Sequence, residues 1–188
     1  MNTALLLVDV QNDFCPGGPL ATARGDEVAS KIAQFLSTED NRTREYAHII
    51  ATQDWHIDPG EHFSENPDFQ DSWPPHCVAD SYGAKIRGPI DTSLIDHFFH
   101  KGEHSAAYSG FEGHDDNGML LGDWLREHDI NELDVCGIAT DHCVLATVLD
   151  ALKQGFKVRV LRGMVAPVDD AAGARALQEM MDAGAEIA

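Results

Sequence analysis

V-C-G-I-A-T-D-H-C, Val135 to Cys143, carries an apolar run into a short polar segment that ends on a cysteine. The run Leu133 to Ile138 is interrupted by Gly137 and gives way to Ala139-Thr140-Asp141-His142. Past Cys143, the residues Val144, Leu145, Thr147, Val148, Ala151 and Leu152 fall on one stripe of a helix. Thr140 and Asp141 are side chains suited to capping such a helix, which reads the stretch as strand, tight turn and helix. Cys143 then lies in the first helical turn. Unpaired N–H groups and the positive end of the helix dipole favour a thiolate there, and the same N–H groups suit an oxyanion. The competing reading is an ordinary buried cysteine, so a base and a pocket must decide.

Outward from this stretch the chain alternates strands and helices. Ala4 to Val10 reads as a buried strand with Asp9 at its carboxyl end, and Asp26 caps a helix through Leu36 with Val28, Ile32, Phe35 and Leu36 on one face. A polar turn over Thr38–Arg44 leads to a second strand, Tyr46 to Thr52, with Gln53-Asp54 just beyond it. After a helical turn at Thr92–Asp96 comes a third strand, His97 to Lys101, and then a helix from Met119 to His128. Beyond the central strand and helix follow a strand at Lys157–Leu161, a helix at Asp169–Ala183 and a strand stub at Glu186–Ala188. Such alternation predicts a mostly parallel sheet covered on both faces, with ligands beyond the carboxyl ends of the strands. Asp9, Asp54, Lys101 and Cys143 all fall at such ends.

Length and composition narrow the class. At 188 residues the chain suits one α/β domain, spanning 1–188, better than two. The formal charge of −19 opposes nucleic acid or an anionic membrane as partner. Cys15, Cys77, Cys136 and Cys143 are too sparse for a disulfide framework. No signal pattern opens the sequence, and no run approaches the ~18 apolar residues of a spanning helix. A reducing cytoplasm is the expected compartment.

Between Gln53 and Pro89 the chain is loop-rich, and a loop of that length inside a compact domain points to function. Asp54, His56, His62 and His76 place one carboxylate and three imidazoles within it. That donor set suits Zn, Fe or Mn(II) rather than Ca or Mg. Its spacing follows no helix or strand period, so one divalent transition metal would itself organise the loop. His48, His97, His100, His114 and His128 read as solvated or satisfied, and His104 is left outside the set.

Six motifs, in order along the chain, carry a family resemblance: V-D-V-Q-N-D-F-C (Val8–Cys15), D-W-H-I-D-P-G-E-H-F (Asp54–Phe63), S-W-P-P-H-C-V (Ser72–Val78), Lys101-Gly102, Y-S-G-F (Tyr108–Phe111) and G-I-A-T-D-H-C-V (Gly137–Val144). Together they resemble the nicotinamidase/pyrazinamidase branch of the isochorismatase-like cysteine hydrolases. The resemblance implies a three-layer α/β/α fold with a six-stranded parallel sheet. It also implies deamidation of nicotinamide to nicotinate and ammonia in NAD salvage, with pyrazinamide as a second substrate. The residues it assigns are a triad of Asp9, Lys101 and Cys143, metal ligands Asp54, His56, His62 and His76, and an oxyanion hole of the Ala139 and Cys143 main-chain N–H groups. Phe14 and Trp73 would sandwich the substrate ring, with Leu20, Tyr108, Ile138 and His142 closing the pocket, and the Ile138–Ala139 peptide would be cis. The complete ligand set argues against a metal-free relative, and the intact triad against an inactive binding module. The partner is then a small molecule, and the chain is a monomer or a homo-oligomer.

Overall fold

A computed structural model describes residues 2–39, 41 and 46–188. Six parallel strands form its sheet: β1 (Thr3–Val8), β2 (His48–Asp54), β3 (His97–Lys101), β4 (Glu132–Ile138), β5 (Lys157–Ala166) and β6 (Glu186–Ile187), in the order β3-β2-β1-β4-β5-β6. The helices are α1 (Gly25–Ser37), α2 (Leu121–Glu127), α3 (Leu145–Lys153) and α4 (Asp170–Asp182). The three-layer α/β/α architecture expected from the sequence is present.

The central strand explains the layering. Leu5, Leu6 and Leu7 of β1 are all fully buried although neighbours point to opposite faces, so both faces must be covered. Leu6 and Val8 pack with Trp124 and Leu125 of α2, Val148 of α3 and Met180 of α4. Leu5 and Leu7 pack on Val28, Ile32 and Leu36 of α1. Each such aliphatic side chain contributes roughly 1.5–3 kcal/mol of burial free energy.

Several boundaries differ from the sequence reading. β2 runs two residues further, because Gln53 and Asp54 still pair with His100 and Lys101 of β3. The helix expected over Met119–His128 is regular only from Leu121 to Glu127. β5 continues to Ala166: a register shift between Val135 and Gly137 skips the polar Arg162-Gly163 step, after which Val165 and Ala166 rejoin β4. Asp26 does not cap α1; Arg24 holds that position, and the Asp26 carboxylate accepts from Arg87 Nε at 2.8 Å. Asp169, by contrast, caps α4, its carboxylate accepting from the Ala172 N–H at 2.7 Å. The polar turn expected over Thr38–Arg44 lies in part outside the described residues.

β1 and β4 approach most closely at Gly137. Its φ is +125°, and a Cβ there would lie 2.1 Å from the Val8 carbonyl oxygen. Main-chain atoms of the neighbouring strand have nowhere to move. Gly137→Ala should therefore destabilise the chain by roughly 3 kcal/mol in urea unfolding, and a variant as stable as the parent would contradict this close approach.

Candidate active site

Three strand ends and one turn converge beyond the carboxyl edge of the sheet. Asp9 follows β1 directly, with a positive φ of 48° that turns the chain away from the ladder. Asp54 closes β2 and Lys101 closes β3. Cys143 stands in the turn after β4. That turn is wider than an α-helical one: the Val144 N–H donates to the Ala139 carbonyl at 3.1 Å, and α3 begins only at Leu145.

The capping expected of Thr140 or Asp141 is not formed; Ala139 occupies the cap position in an extended conformation. The Asp141 carboxylate is drawn instead to the segment before α4, accepting from the N–H groups of Val168 (2.9 Å) and Asp169 (3.1 Å). The Ile138–Ala139 peptide is cis, as the resemblance implies.

Lys101 is 1% exposed, and its ammonium group is surrounded by acids. Nζ lies 2.9 Å from Asp9 Oδ2, is ion-paired to Asp54 Oδ1, and lies 3.8 Å from Cys143 Sγ. A buried cation so placed is held charged by its neighbours. Burial would lower the Lys101 pKa, but Asp54, Asp9 and Cys143 together raise it well above the ordinary lysine value.

The two carboxylates separate. Burial pushes Asp9 upward against the pull of Lys101, although Thr52 Oγ1 donates to Asp9 Oδ1 at 2.7 Å. Burial acts on Asp54 as well, yet Lys101 and the imidazoles of His56 and His76 hold its carboxyl well below the ordinary value. Asp54 is thus the permanent anion and Asp9 the group able to take up a proton. Burial, reinforced by the two carboxylates, also pushes the Cys143 thiol well above its usual value despite Lys101. Desolvation thus opposes the thiolate that the helix terminus favours, and Asp9 stands close by as a proton acceptor, as the expected triad requires.

On the other side of Asp54 the three predicted imidazoles come together. Oδ2 of Asp54 lies 3.6 Å from His56 Nε2 and 3.7 Å from His76 Nε2, and those two nitrogens are 3.3 Å apart. The Nδ1 atoms of His56 and His76 face carbonyl oxygens, of Gly102 at 2.6 Å and Pro74 at 2.8 Å. If each Nδ1 carries the donated proton, both Nε2 lone pairs point at one another and at a carboxylate. That arrangement is repulsive unless a cation lies among them. His62 completes the cluster, with a buried Nδ1 lacking a hydrogen-bond partner among the described residues, and burial lowers its pKa to about 4. The donor set therefore fits a divalent transition ion. Gly102 is required here: its φ is +76°, and a Cβ would lie 2.7 Å from His56 Cε1.

A cavity of about 330 Å³ opens onto Cys143, Asp54, His62 and His76, with Ala139 in its wall. All six predicted substrate contacts, Phe14, Leu20, Trp73, Tyr108, Ile138 and His142, line it. Trp73 is fixed by a hydrogen bond from Nε1 to Tyr108 Oη at 3.1 Å and meets the His142 ring edge-on at 5.6 Å. Phe69 and Val168, 58% and 55% exposed, add an apolar mouth that the sequence reading missed. Thr52 and Thr147 were missed too; Thr147 Oγ1 donates to the Cys143 carbonyl at 2.6 Å and accepts from the Gly110 N–H at 2.8 Å. Nothing in local pattern marks a threonine as the support of a residue distant in sequence.

His48, His97, His100, His104, His114 and His128 lie outside this cluster. His48, His97 and His128 pack around Trp124, His100 stacks on Trp55 at 4.2 Å, and His104 is exposed. The four cysteines are unbonded. Among the described residues no helix is long and apolar enough to cross a membrane.

Residues 3–188 match the family profile described as the Isochorismatase domain. The chain is 48% identical over 184 residues to the nicotinamidase/pyrazinamidase of Mycobacterium tuberculosis, a match covering 98% of this chain and 97% of that one. A solved structure of PnC1 from L. infantum in complex with nicotinate aligns at a TM-score of 0.84 and 34% identity, covering 100% of this chain and 92% of that one. The pyrazinamidase of Pyrococcus horikoshii in complex with zinc aligns at a TM-score of 0.83 and 36% identity, covering 100% and 99%.

The cluster makes a direct test available. Metal analysis of the purified chain should find about one divalent transition ion per molecule, and His56→Ala or His76→Ala should weaken its binding by about 100-fold or more. Unchanged binding in either variant would dissolve the cluster as a metal site.

Proposed function

The chain belongs to the isochorismatase family, and from that premise we propose that it is a nicotinamidase, a single-domain amidohydrolase converting nicotinamide to nicotinate and ammonia. Pyrazinamide is a second substrate, since a second ring nitrogen scarcely changes the shape presented to the cavity. The observation that carries this reading is one buried ammonium joining Asp9 to Asp54 and Cys143, the last two of which open onto an aromatic-walled cavity.

Asp9 accepts the Cys143 proton, and Lys101, within reach of both, balances the charge as it moves from carboxylate to sulfur. The thiolate attacks the amide carbonyl carbon. Main-chain N–H groups of Ala139 and Cys143 hold the resulting oxyanion. As the C–N bond breaks, Asp9 returns its proton to the departing nitrogen and ammonia leaves a thioester on Cys143. Asp9, again a carboxylate, draws a proton from water as that water attacks the thioester; the nicotinate leaves and the thiol is restored. The upward push on Asp9 suits a group that exchanges protons twice per turnover.

Asp54, His56, His62 and His76 would hold one divalent ion, zinc, iron or manganese, which supplies a Lewis-acidic point for the ring nitrogen. The P. horikoshii pyrazinamidase, solved in complex with zinc, supports a divalent metal for this chain. Phe14 and Trp73 grip the two faces of the ring, while Leu20, Tyr108, Ile138 and His142 close around it and exclude water. Orienting the ring fixes the amide over the sulfur, and proximity of this kind is a large part of the rate. A charge of −19 supports a small-molecule partner without nucleic acid or membrane, and unpaired cysteines support a reducing cytoplasm.

Ammonia release from nicotinamide checks the route. Cys143→Ala should reduce it by at least about 10³-fold, and wild type quenched during turnover should carry a nicotinoyl adduct on Cys143 in intact-mass analysis. Wild-type turnover by Cys143→Ala would sink the covalent route. Chelation should remove most activity, with restoration on adding back zinc, iron or manganese; a chelated enzyme at full activity would refute the part given to the ion.

A further inference from the structure

The motif at the end of β1, Val8 to Cys15, contributes Asp9 and Phe14 to the proposed chemistry, which leaves Gln11, Asn12 and Asp13 without a role. All three direct their side chains at the long loop that carries the histidines, and each ends on main chain. Gln11 is fully buried. Its Nε2 donates to the Asp54 carbonyl at 2.8 Å and to the Ala84 carbonyl at 2.8 Å, while the Asp54 N–H donates to Gln11 Oε1 at 2.9 Å.

The reason lies in the ladder. β1 pairs with β2 only as far as Val8 opposite Thr52, and the Asp9 N–H makes a last bond to the Thr52 carbonyl at 3.2 Å. The chain then turns away through the positive φ of Asp9, so Asp54 meets no β1 main chain. The Gln11 amide, one donor and one acceptor in a plane, takes the place of the missing peptide.

Asp13 acts on the other arm of the cluster. The Cys77 N–H donates to Asp13 Oδ2 at 2.7 Å, and the Cys77 carbonyl accepts from the His56 N–H at 2.9 Å. The main chain of one residue, through the N–H of one peptide and the carbonyl of the next, therefore ties His76, its chain neighbour, to His56. Cys77 holds a positive φ of 45°, a conformation that needs outside support. Gly83 leaves the room: a Cβ there would come within 2.0 Å of Asp13 Oδ2. Asn12 Nδ2 donates to the Tyr82 carbonyl at 2.8 Å, a bond in the same segment that touches neither Asp54 nor a histidine.

We propose that Gln11 and Asp13 are positioning residues for the metal ligands, Gln11 fixing Asp54 and Asp13 fixing His56 and His76 through the main chain of Cys77. The proposal rests on reading the histidine cluster as a metal site. It makes the end of β1 the common reference for the proton acceptor Asp9 and for the ion that orients the ring.

The test measures the affinity of the full chain for zinc alone, by competition with a chromogenic chelator, alongside thermal melting. Gln11→Leu and Asp13→Ala should each weaken zinc binding by about tenfold or more. Asp13→Asn, which keeps an oxygen for the Cys77 N–H, should stay within about threefold of wild type. Asn12→Ala should match wild type even where it lowers the melting temperature. Should the larger changes prevent folding, Gln11→Glu carries the same test, since its second oxygen opposes the Asp54 and Ala84 carbonyls; it too should lose about tenfold. Wild-type affinity in folded Gln11 or Asp13 variants, or an equal loss in Asn12→Ala, would overturn the positioning role alone. A wild-type chain that binds no zinc would overturn the metal reading and this proposal with it.

Discussion

The Lys101 ammonium, buried at the end of β3 between two carboxylates and a thiol, is the constraint on which the site depends. A cation taken out of water is tolerable only when opposite charges surround it in good geometry. That requirement fixes where Asp9 and Asp54 must stand, and both stand at strand ends because strand ends are the most rigid places from which a sheet can aim a side chain. The sheet order β3-β2-β1-β4 then brings Lys101, Asp54, Asp9 and Cys143, at or just beyond the ends of four adjacent strands, to one edge.

Asp54 joins two halves of the site that differ in chemistry. One of its oxygens faces the ammonium and the other faces the imidazoles. Since Asp54 stays ionised while Asp9 is pushed toward protonation, two carboxylates only a few ångströms apart serve different ends. Environment alone separates them: both are buried, but Asp54 is flanked by a lysine and two histidines, whereas Asp9 has the lysine and a threonine hydroxyl. In the proposed mechanism, bond-making chemistry falls to the sheet edge and ring recognition to the loop.

The long loop has little regular structure, so its shape comes from ties made by other parts of the chain. Isolated bridges join His56 to Val78 and Phe63 to Trp73. The Gly102 and Pro74 carbonyls set the imidazoles, and side chains from the end of β1 hold the loop main chain. Each tie is a modest hydrogen bond, worth about 0.5–1.5 kcal/mol net, and the fold's rigidity comes from their number and burial.

Much of this was legible in the residues. Apolar runs in β1 and β4, the period of α1 and α3, and the polar residues at strand ends determined a parallel sheet with its site at the carboxyl edge, because burial and side-chain periodicity are local properties. The motifs likewise marked the triad, the histidines and the cavity wall, and the structure brings most of them to one cavity, with Asp9, Lys101 and His56 buried against residues that line it. Other features had no local signal. The continuation of β5 past its polar step, the cap that Asp141 gives up to the segment before α4, and the apolar mouth of Phe69 and Val168 depend on neighbours far away in the chain. The protonation state of Cys143 is the clearest case. A helix terminus favours a thiolate, while desolvation and the two carboxylates push the thiol pKa upward, and those opposing forces exist only once the chain has closed around the sulfur.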